Sequence, residues 1–404
     1  MKLSVIMCVY NTDKEYFESA LRSVRQNGEN IQICIVDDGS TVDYTELISK
    51  YGAKYLKTEN KGIFSARLTG IGMADGEYIA FHDSDDTVSF DYYEPMLCVA
   101  EEKGADIVVN DWAFHTDKAR YYCKRDFTIC TDVDRKSGEV LSFLFEKGGR
   151  EHSAFVLWNK IFRGEIMRSV KDTLLSYPSV SERIMFSEDA LMCFFLYKAA
   201  KRMVGVHTGY YFYRIHEAQT VSVISSERLR SQIKDMAATF DIMEREISAE
   251  EGNETLLRGL FEWRALMSRS HYSHARARGY TELYPYIKER YKVKSLRKAT
   301  LKDGAVYTRN ELLPENFETI DTALLDVVSS GATSVICEKN PYATALLTRR
   351  GVRISTASDA CAKALPPVQI STRNKIIHNY FVYTVASVLF PKGSGIRAFL
   401  KRHF

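Results

Sequence analysis

The chain has 404 residues, 45% hydrophobic and 26% charged, the balance of an ordinary globular protein long enough for two or three domains. A formal net charge of +3 is too slight to argue for nucleic acid, and no apolar run reaches the length of about 18 residues that a spanning helix needs. Eight cysteines without a C-x-x-C pair read as reduced, buried thiols rather than a disulfide or zinc framework. With no apolar h-region in MKLSVIMCVYN, the expected location is the cytoplasm.

In chain order, Leu3–Val9 reads as a strand ending in Tyr10-Asn11, and Glu15–Gln26 as a helix. Ile31–Val36 is a second strand, ending in Asp37-Asp38-Gly39-Ser40. Tyr44–Tyr51 reads as a helix, Lys54–Thr58 as a short strand and Ile63–Met73 as a helix. Tyr78–Phe81, in GEYIAFHDSDDT, is a buried strand that runs into Asp83, Ser84, Asp85 and Asp86. Alternating strands and helices imply parallel pairing with right-handed crossovers. Ligands of such open sheets lie beyond the carboxyl ends of the strands, where all three polar clusters fall.

Further along, Asp106–Val109 reads as a strand, followed by a polar stretch to about Asp134. From Ser137 to Phe212 the signals are mostly helical, with Trp158-Asn159-Lys160 and Ser187-Glu188-Asp189 embedded. Arg228–Glu251 and Leu256–Arg278 read as charged helices, with His271 and His274 on the surface. Ser334–Cys337, Tyr342–Arg350 and Val352–Ser355 suggest a small strand-helix-strand unit. The implied domains are 1–224, 225–300 and 301–370, with a tail at 371–404. That tail is basic and amphipathic, suited either to resting peripherally on an anionic membrane surface at the inner face of the cell membrane or to packing, solvated, on its own domain.

Three carboxylates within Asp83–Asp86 repel one another, and a divalent cation would relieve this. Hard oxygen ligands suit Mg²⁺ or Mn²⁺, which borrow further ligands from substrate phosphates. A solvated acidic turn is the plain alternative.

The order VIMCVYN, IVDDGS, ENKGIFSARLTGIGMADGEYIAFHDSDD, WNK, FSEDA and YYFYRIHEAQTVS resembles the inverting family 2 glycosyltransferases of the GT-A fold. Many of these build bacterial capsule, lipopolysaccharide or wall polysaccharides. The match runs from Lys2 to about Ser222. It implies an α/β fold with a mixed, mostly parallel sheet flanked by helices, then a helical region and a small α/β unit. It further implies a hexosyltransferase that uses a nucleotide-sugar donor, a UDP-sugar by preference, a glycan or lipid-linked acceptor, and Mn²⁺ or Mg²⁺.

Carried over residue by residue, Tyr10 offers a stacking face to the base and Asp38 an acceptor for its N–H edge. Arg67, in ARLTG, approaches the diphosphate, with Leu68 where asparagine is frequent in the family. Within the D-x-D element Asp85 is the direct metal ligand, Asp83 lies near the ribose or completes the metal shell, and Ser84 borders the donor. Asp86 is expected to cap the following segment. His216 is a further metal ligand. Asp189 is the base that takes the acceptor hydroxyl's proton, with Glu188 orienting the acceptor or supporting the base, and Trp158 stacks on an acceptor sugar.

Each residue also has a plain structural reading. Tyr10 would be a strand-end aromatic, Asp38 an Asx-turn, Arg67 a surface arginine, Glu188-Asp189 a helix start, His216 a structural histidine, and Trp158 a core residue. Two rival functions remain at this level. One is a catalytically silent nucleotide-sugar-binding scaffold. The other is a sugar nucleotidyltransferase, which usually opens with a glycine-rich, arginine-containing loop where Cys8-Val9-Tyr10-Asn11 stands.

Overall fold

The computed structural model describes residues 2–116, 119–123, 133–146, 152–177, 184, 186–215, 225–293, 310–312, 334–336 and 353–355. The chain divides into two compact units, Met1–His216 with Tyr307–Cys361, and Glu217–Val306 with Ala362–Phe404. The domain boundaries expected at 224, 300 and 370, the Tyr342–Arg350 helix and the 371–404 tail lie outside the described residues.

The first unit opens with strands β1 (Leu3–Val9), β2 (Gln32–Asp37), β3 (Lys54–Lys57) and β4 (Tyr78–Asp83). They pair in parallel in the order β3-β2-β1-β4. Helices α1 (Lys14–Arg25), α2 (Thr45–Lys50) and α3 (Ile63–Met73) make the crossovers. The apolar strands sit where hydrophobic burial is most complete: Val5, Met7, Ile33, Ile35 and Ala80 share one core with Phe17, Leu21 and Val24 of α1. Helix α1 begins cleanly because the Asp13 carboxylate accepts from the amides of Glu15 and Tyr16.

Helix α3 packs on β1 and β2, and Gly70 sets how closely. A Cβ at that position would come within 2.4 Å of Ile6 Cγ2, so only glycine allows this approach.

The chain continues through β5 (Thr87–Val88), α4 (Tyr93–Lys103), β6 (Ile107–Val109), β7 (Trp112–Thr116), β8 (Ala119–Cys123) and β9 (Asp134–Lys136). Next come the single turn α5 (His152–Phe155), β10 (Lys160–Arg163), α6 (Gly164–Leu175), α7 (Glu188–Ala199), β11 (Arg202–Gly205) and β12 (Tyr211–Arg214). Among the described residues the main sheet has the order β3-β2-β1-β4-β10-β6-β11-β9. It is mixed, because β10 runs antiparallel to both β4 and β6.

The stretch expected to be polar and the one expected to be mostly helical thus contain β7, β8, β10, β11 and β12. Runs of four or five residues such as Lys160–Arg163 are too short for periodicity to separate strand from helix.

A second sheet runs β13-β8-β7-β12-β5, with Asn310–Leu312 as β13 at its edge. Ser334–Ile336 (β14) and Arg353–Ser355 (β15) pair in parallel, close to the expected strand bounds. In the second unit, α8 (Ser226–Ser248), α9 (Glu254–Arg278) and α10 (Leu283–Arg290) bury Phe240, Leu260, Trp263 and Ile287. His271 is not on the surface: it is 2% exposed, and its Nδ1 lies 2.6 Å from the Tyr291 hydroxyl. His274 is half-buried. No helix among the described residues is long and apolar enough to cross a membrane.

Candidate active site at the carboxyl ends of the parallel strands

Strands β2, β1 and β4 are neighbours, so their carboxyl ends place Asp37–Ser40, Tyr10–Thr12 and Asp83–Asp86 side by side. Side-chain bonds tie these turns together. Ser84 Oγ and Thr12 Oγ1 lie 2.6 Å apart, the Asn11 amide donates to Ser40 Oγ at 2.9 Å, and Asn11 Oδ1 accepts from the Thr41 amide at 2.8 Å. Asn11 has a left-handed φ of 52°, which asparagine tolerates better than most residues. Beside it Tyr10 is 55% exposed, its ring open to solvent.

The two aspartates of the DDGS turn have different tasks. Asp37, not Asp38, makes the turn: its Oδ1 accepts from the Ser40 amide at 2.7 Å. Asp38 reaches forward to the start of α3, accepting from the amides of Lys61 (2.7 Å) and Gly62 (2.8 Å). Its carboxylate is therefore first of all a cap on that turn, although two oxygens have more lone pairs than two amides fill.

Arg67 is the hub of the site. It is 6% exposed on α3, its Nη1 lies 2.7 Å from Glu188 Oε1, and its Nη2 lies 3.5 Å from Asp83 Oδ1. One planar fork thus joins the end of β4 to the start of α7, a geometry that suits guanidinium and not ammonium. Burial works against its charge, yet Glu188, Asp83 and Asp189 together hold it above its ordinary range.

The acids respond in kind. Burial, with the charges of Asp85 and Asp189, raises Asp83 to about 6 against the pull of Arg67. Burial and Asp189 raise Glu188 to about 7. Asp189 is raised by burial, with Arg67 and Lys160 opposing. The Tyr213 phenol is held high first by burial and then by the charges of Asp86, Asp83, Asp85 and Asp189. Cys8 is likewise pushed up to about 12 by burial, in the field of Arg67, Asp83, Asp38 and Glu188.

These shifts have a sign that can be checked. Glu188 and Asp83 hold protons in the folded chain to about pH 7 and 6, whereas the unfolded chain releases them near the ordinary carboxyl values of 4.5 and 3.8. The stability this contributes is fully present below those unfolded values and lost as pH rises through the folded ones. Thermal melts from pH 5 to 8 should therefore fall more steeply for the wild type than for Glu188→Gln. Equal slopes would show that Glu188 does not titrate in this window.

Several expected residues stand elsewhere than supposed. Trp158 is 4% exposed, stacked on Tyr211 at 4.5 Å and edge-on to Trp112 at 5.4 Å; it is a core residue, with no open face for a sugar. Glu188 is 8% exposed and turned to Arg67, a placement that fits support of Asp189 rather than contact with an acceptor. Asp86 caps no helix: it is 1% exposed and its Oδ1 accepts from the Arg214 amide of β12 at 2.7 Å. His216 lies outside the described residues.

Among the described residues no three His, Cys, Asp or Glu side chains are set to hold a metal ion. Asp83 and Asp85 remain together at the end of β4, and Asp189 stands in the first turn of α7, its Oδ1 accepting from the Ala190 amide at 2.8 Å. The preceding Ser187 has a left-handed φ of 70°, a strained start for that helix.

Two residues of the YYFYRIH string have roles that no local sequence signal announces, because their partners lie 128 and 129 positions away. The Tyr211 hydroxyl accepts from the Asp83 amide at 3.0 Å, and Arg214 Nε donates to the Asp85 carbonyl at 2.7 Å while its guanidinium lies 4.4 Å over the Tyr16 ring. Strand β12 is thus the clamp on the acidic loop.

Residues 4–172 match the family described as Glycosyl transferase family 2. The chain is 32% identical over 225 residues to the putative glycosyltransferase EpsH of Bacillus subtilis (strain 168), covering 54% of this chain and 62% of that protein. It is 28% identical over 253 residues to glycosyltransferase GlyG of Streptococcus pneumoniae serotype 4, covering 59% of this chain and 78% of that one. Among solved structures it is similar to TarS of S. aureus, with 17% identity and a TM-score of 0.48, covering 72% of this chain and 50% of that chain. The chain thus spans less than two thirds of EpsH.

Proposed function

We propose, from the match of residues 4–172 to the glycosyl transferase family 2 model, that the chain transfers a sugar, with inversion, from a nucleotide-sugar to a glycan or lipid-linked acceptor. The donor is a UDP-sugar and the setting is cell-surface polysaccharide synthesis. The observation that carries this reading is the Arg67 hub, which draws Asp83, Glu188 and Asp189 to the carboxyl ends of the parallel strands beside an exposed Tyr10.

In this mechanism Tyr10 stacks on the base, and Asp38 uses its remaining lone pairs on the base edge. The Asp189 carboxylate takes the proton of the attacking acceptor hydroxyl, a group that barely ionises at neutral pH. Arg67 and Glu188 hold the surrounding charge in place while this happens. The donor set also fits a divalent cation: Asp83 and Asp85 are hard oxygen ligands whose mutual repulsion helps raise Asp83. Mn²⁺ or Mg²⁺ held there together with the donor phosphates would stabilise charge on the departing nucleoside diphosphate. Peripheral contact of the 371–404 tail with the cell membrane belongs to the same reading.

A donor panel tests it. UDP-sugars with Mn²⁺ should raise the melting temperature of the wild type, by mass action on the native state. GDP, dTDP and CDP sugars should not, and Asp85→Ala should lose the Mn²⁺-dependent part of the shift. An equal response to every base would remove the UDP assignment, and no response to any would remove the donor site.

A further inference from the structure

The W-N-K string holds a charge that the mechanism above does not use. Lys160, first residue of β10, is 1% exposed. An ammonium has three N–H donors, and here all three meet oxygen: the carbonyls of Ser153 (2.5 Å) and Val156 (2.6 Å), and Asn159 Oδ1 (2.7 Å). Desolvating an ammonium is unfavourable even when it is well bonded, and a methionine would fill the same volume without that cost. What stands on those carbonyls gives the charge a purpose.

Helix α7 rests on the same segment. Cys193 Sγ donates to the Val156 carbonyl at 3.6 Å, and the Tyr197 hydroxyl donates to the Ala154 carbonyl at 2.6 Å. Asp189, Cys193 and Tyr197 are spaced i, i+4, i+8, so they share one face of that helix. Two of the three are therefore bonded to the 153–156 segment, part of whose carbonyl set Lys160 gathers, and the third is Asp189.

We infer, resting on the reading of Asp189 as proton acceptor, that Lys160 is a positioning residue for it: its buried ammonium assembles the seat of α7 and supplies a fixed positive charge to the helix face that carries Asp189. The groups whose charges reach Asp189 are Arg67 of α3, Asp83 of β4, Lys160 of β10 and Tyr213 of β12, with Glu188 and Cys193 on its own helix. The cations in this set are Arg67 and Lys160, and Arg67 is already engaged by Glu188 and Asp83. Lys160 accordingly favours the ionised form of Asp189, the form able to accept a proton.

The test is donor turnover by the full chain as a function of pH, for wild type, Asp189→Asn, Lys160→Met, Lys160→Gln and Lys160→Arg. Lys160→Met should keep the donor KM within about twofold, lose about tenfold in kcat near the acid end, and regain wild-type kcat at high pH. Lys160→Gln, which keeps donors for the same carbonyls, should show the same displaced acid limb. Lys160→Arg should keep the limb in place.

A wild-type limb in both neutral variants overturns the inference, as does a uniform loss at every pH. Failure of both to fold while Lys160→Arg folds marks a purely structural residue and also overturns it. If Asp189→Asn keeps the wild-type rate, the base reading falls and this inference with it. If Asp189→Asn is inactive and Lys160→Met keeps the wild-type limb, only the inference falls.

Discussion

Replacing Arg67 with alanine is expected to destabilise the first unit by about 3–5 kcal/mol, the usual consequence of removing one member of a buried ionic group. The loss follows from what remains. Glu188, 8% exposed, and Asp83 would face each other and Asp189 with the cation that bridges them gone. The same carboxyls can escape by staying protonated, since both are already raised in the folded chain. The penalty should therefore be smaller at pH 5 than at pH 8. Arg67→Lys should recover little, because one ammonium cannot span both partners. Denaturant melts at the two pH values measure this, and a penalty independent of pH would show that the acids do not depend on Arg67.

Asp189→Asn is expected to lower transfer by about 10²–10⁴-fold, the range that a positioned proton acceptor contributes. The amide keeps the shape, and its oxygen can still accept from the Ala190 amide. It cannot take up a proton. Donor binding should change little, so the loss should fall on kcat and not on KM. Initial rates at saturating donor decide between the outcomes. A variant that retains wild-type kcat would exclude Asp189 as the base and leave the helix-start reading of Ser187-Glu188-Asp189 standing alone.

Much of the core was legible because its signals are local. The runs Leu3–Val9 and Tyr78–Phe81 are crowded with β-branched and aromatic residues, and Ile63–Met73 coincides with the observed helix. The meeting of the carboxyl ends of β1, β2 and β4, with Asp38, Asp83 and Asp85, then follows from parallel pairing.

What could not be read were long-range choices. Nothing in ARLTG says that Arg67 will meet Glu188, 121 positions later. Nothing in DSDD says that Arg214 and Tyr211 will hold its backbone, or in WNK that the lysine is buried under a helix while the tryptophan packs on Tyr211. Charge in a sequence carries no mark of burial, yet Arg67, Lys160 and Arg214 are each at most 6% exposed. His271 was misplaced for the same reason, since its partner Tyr291 lies on the far side of a turn and a further helix. Short strands such as Tyr211–Arg214 carry too few residues to declare a period.

The assembled acidic tip is best tested by following the nucleoside product released from UDP-sugars in the presence of Mn²⁺, comparing wild type with Asp85→Ala. Wild-type protein should liberate UDP, with no pyrophosphate, and Asp85→Ala should lose that release while its fold persists. Pyrophosphate from the wild type, or undiminished UDP from Asp85→Ala, would contradict a donor diphosphate gripped at the end of β4.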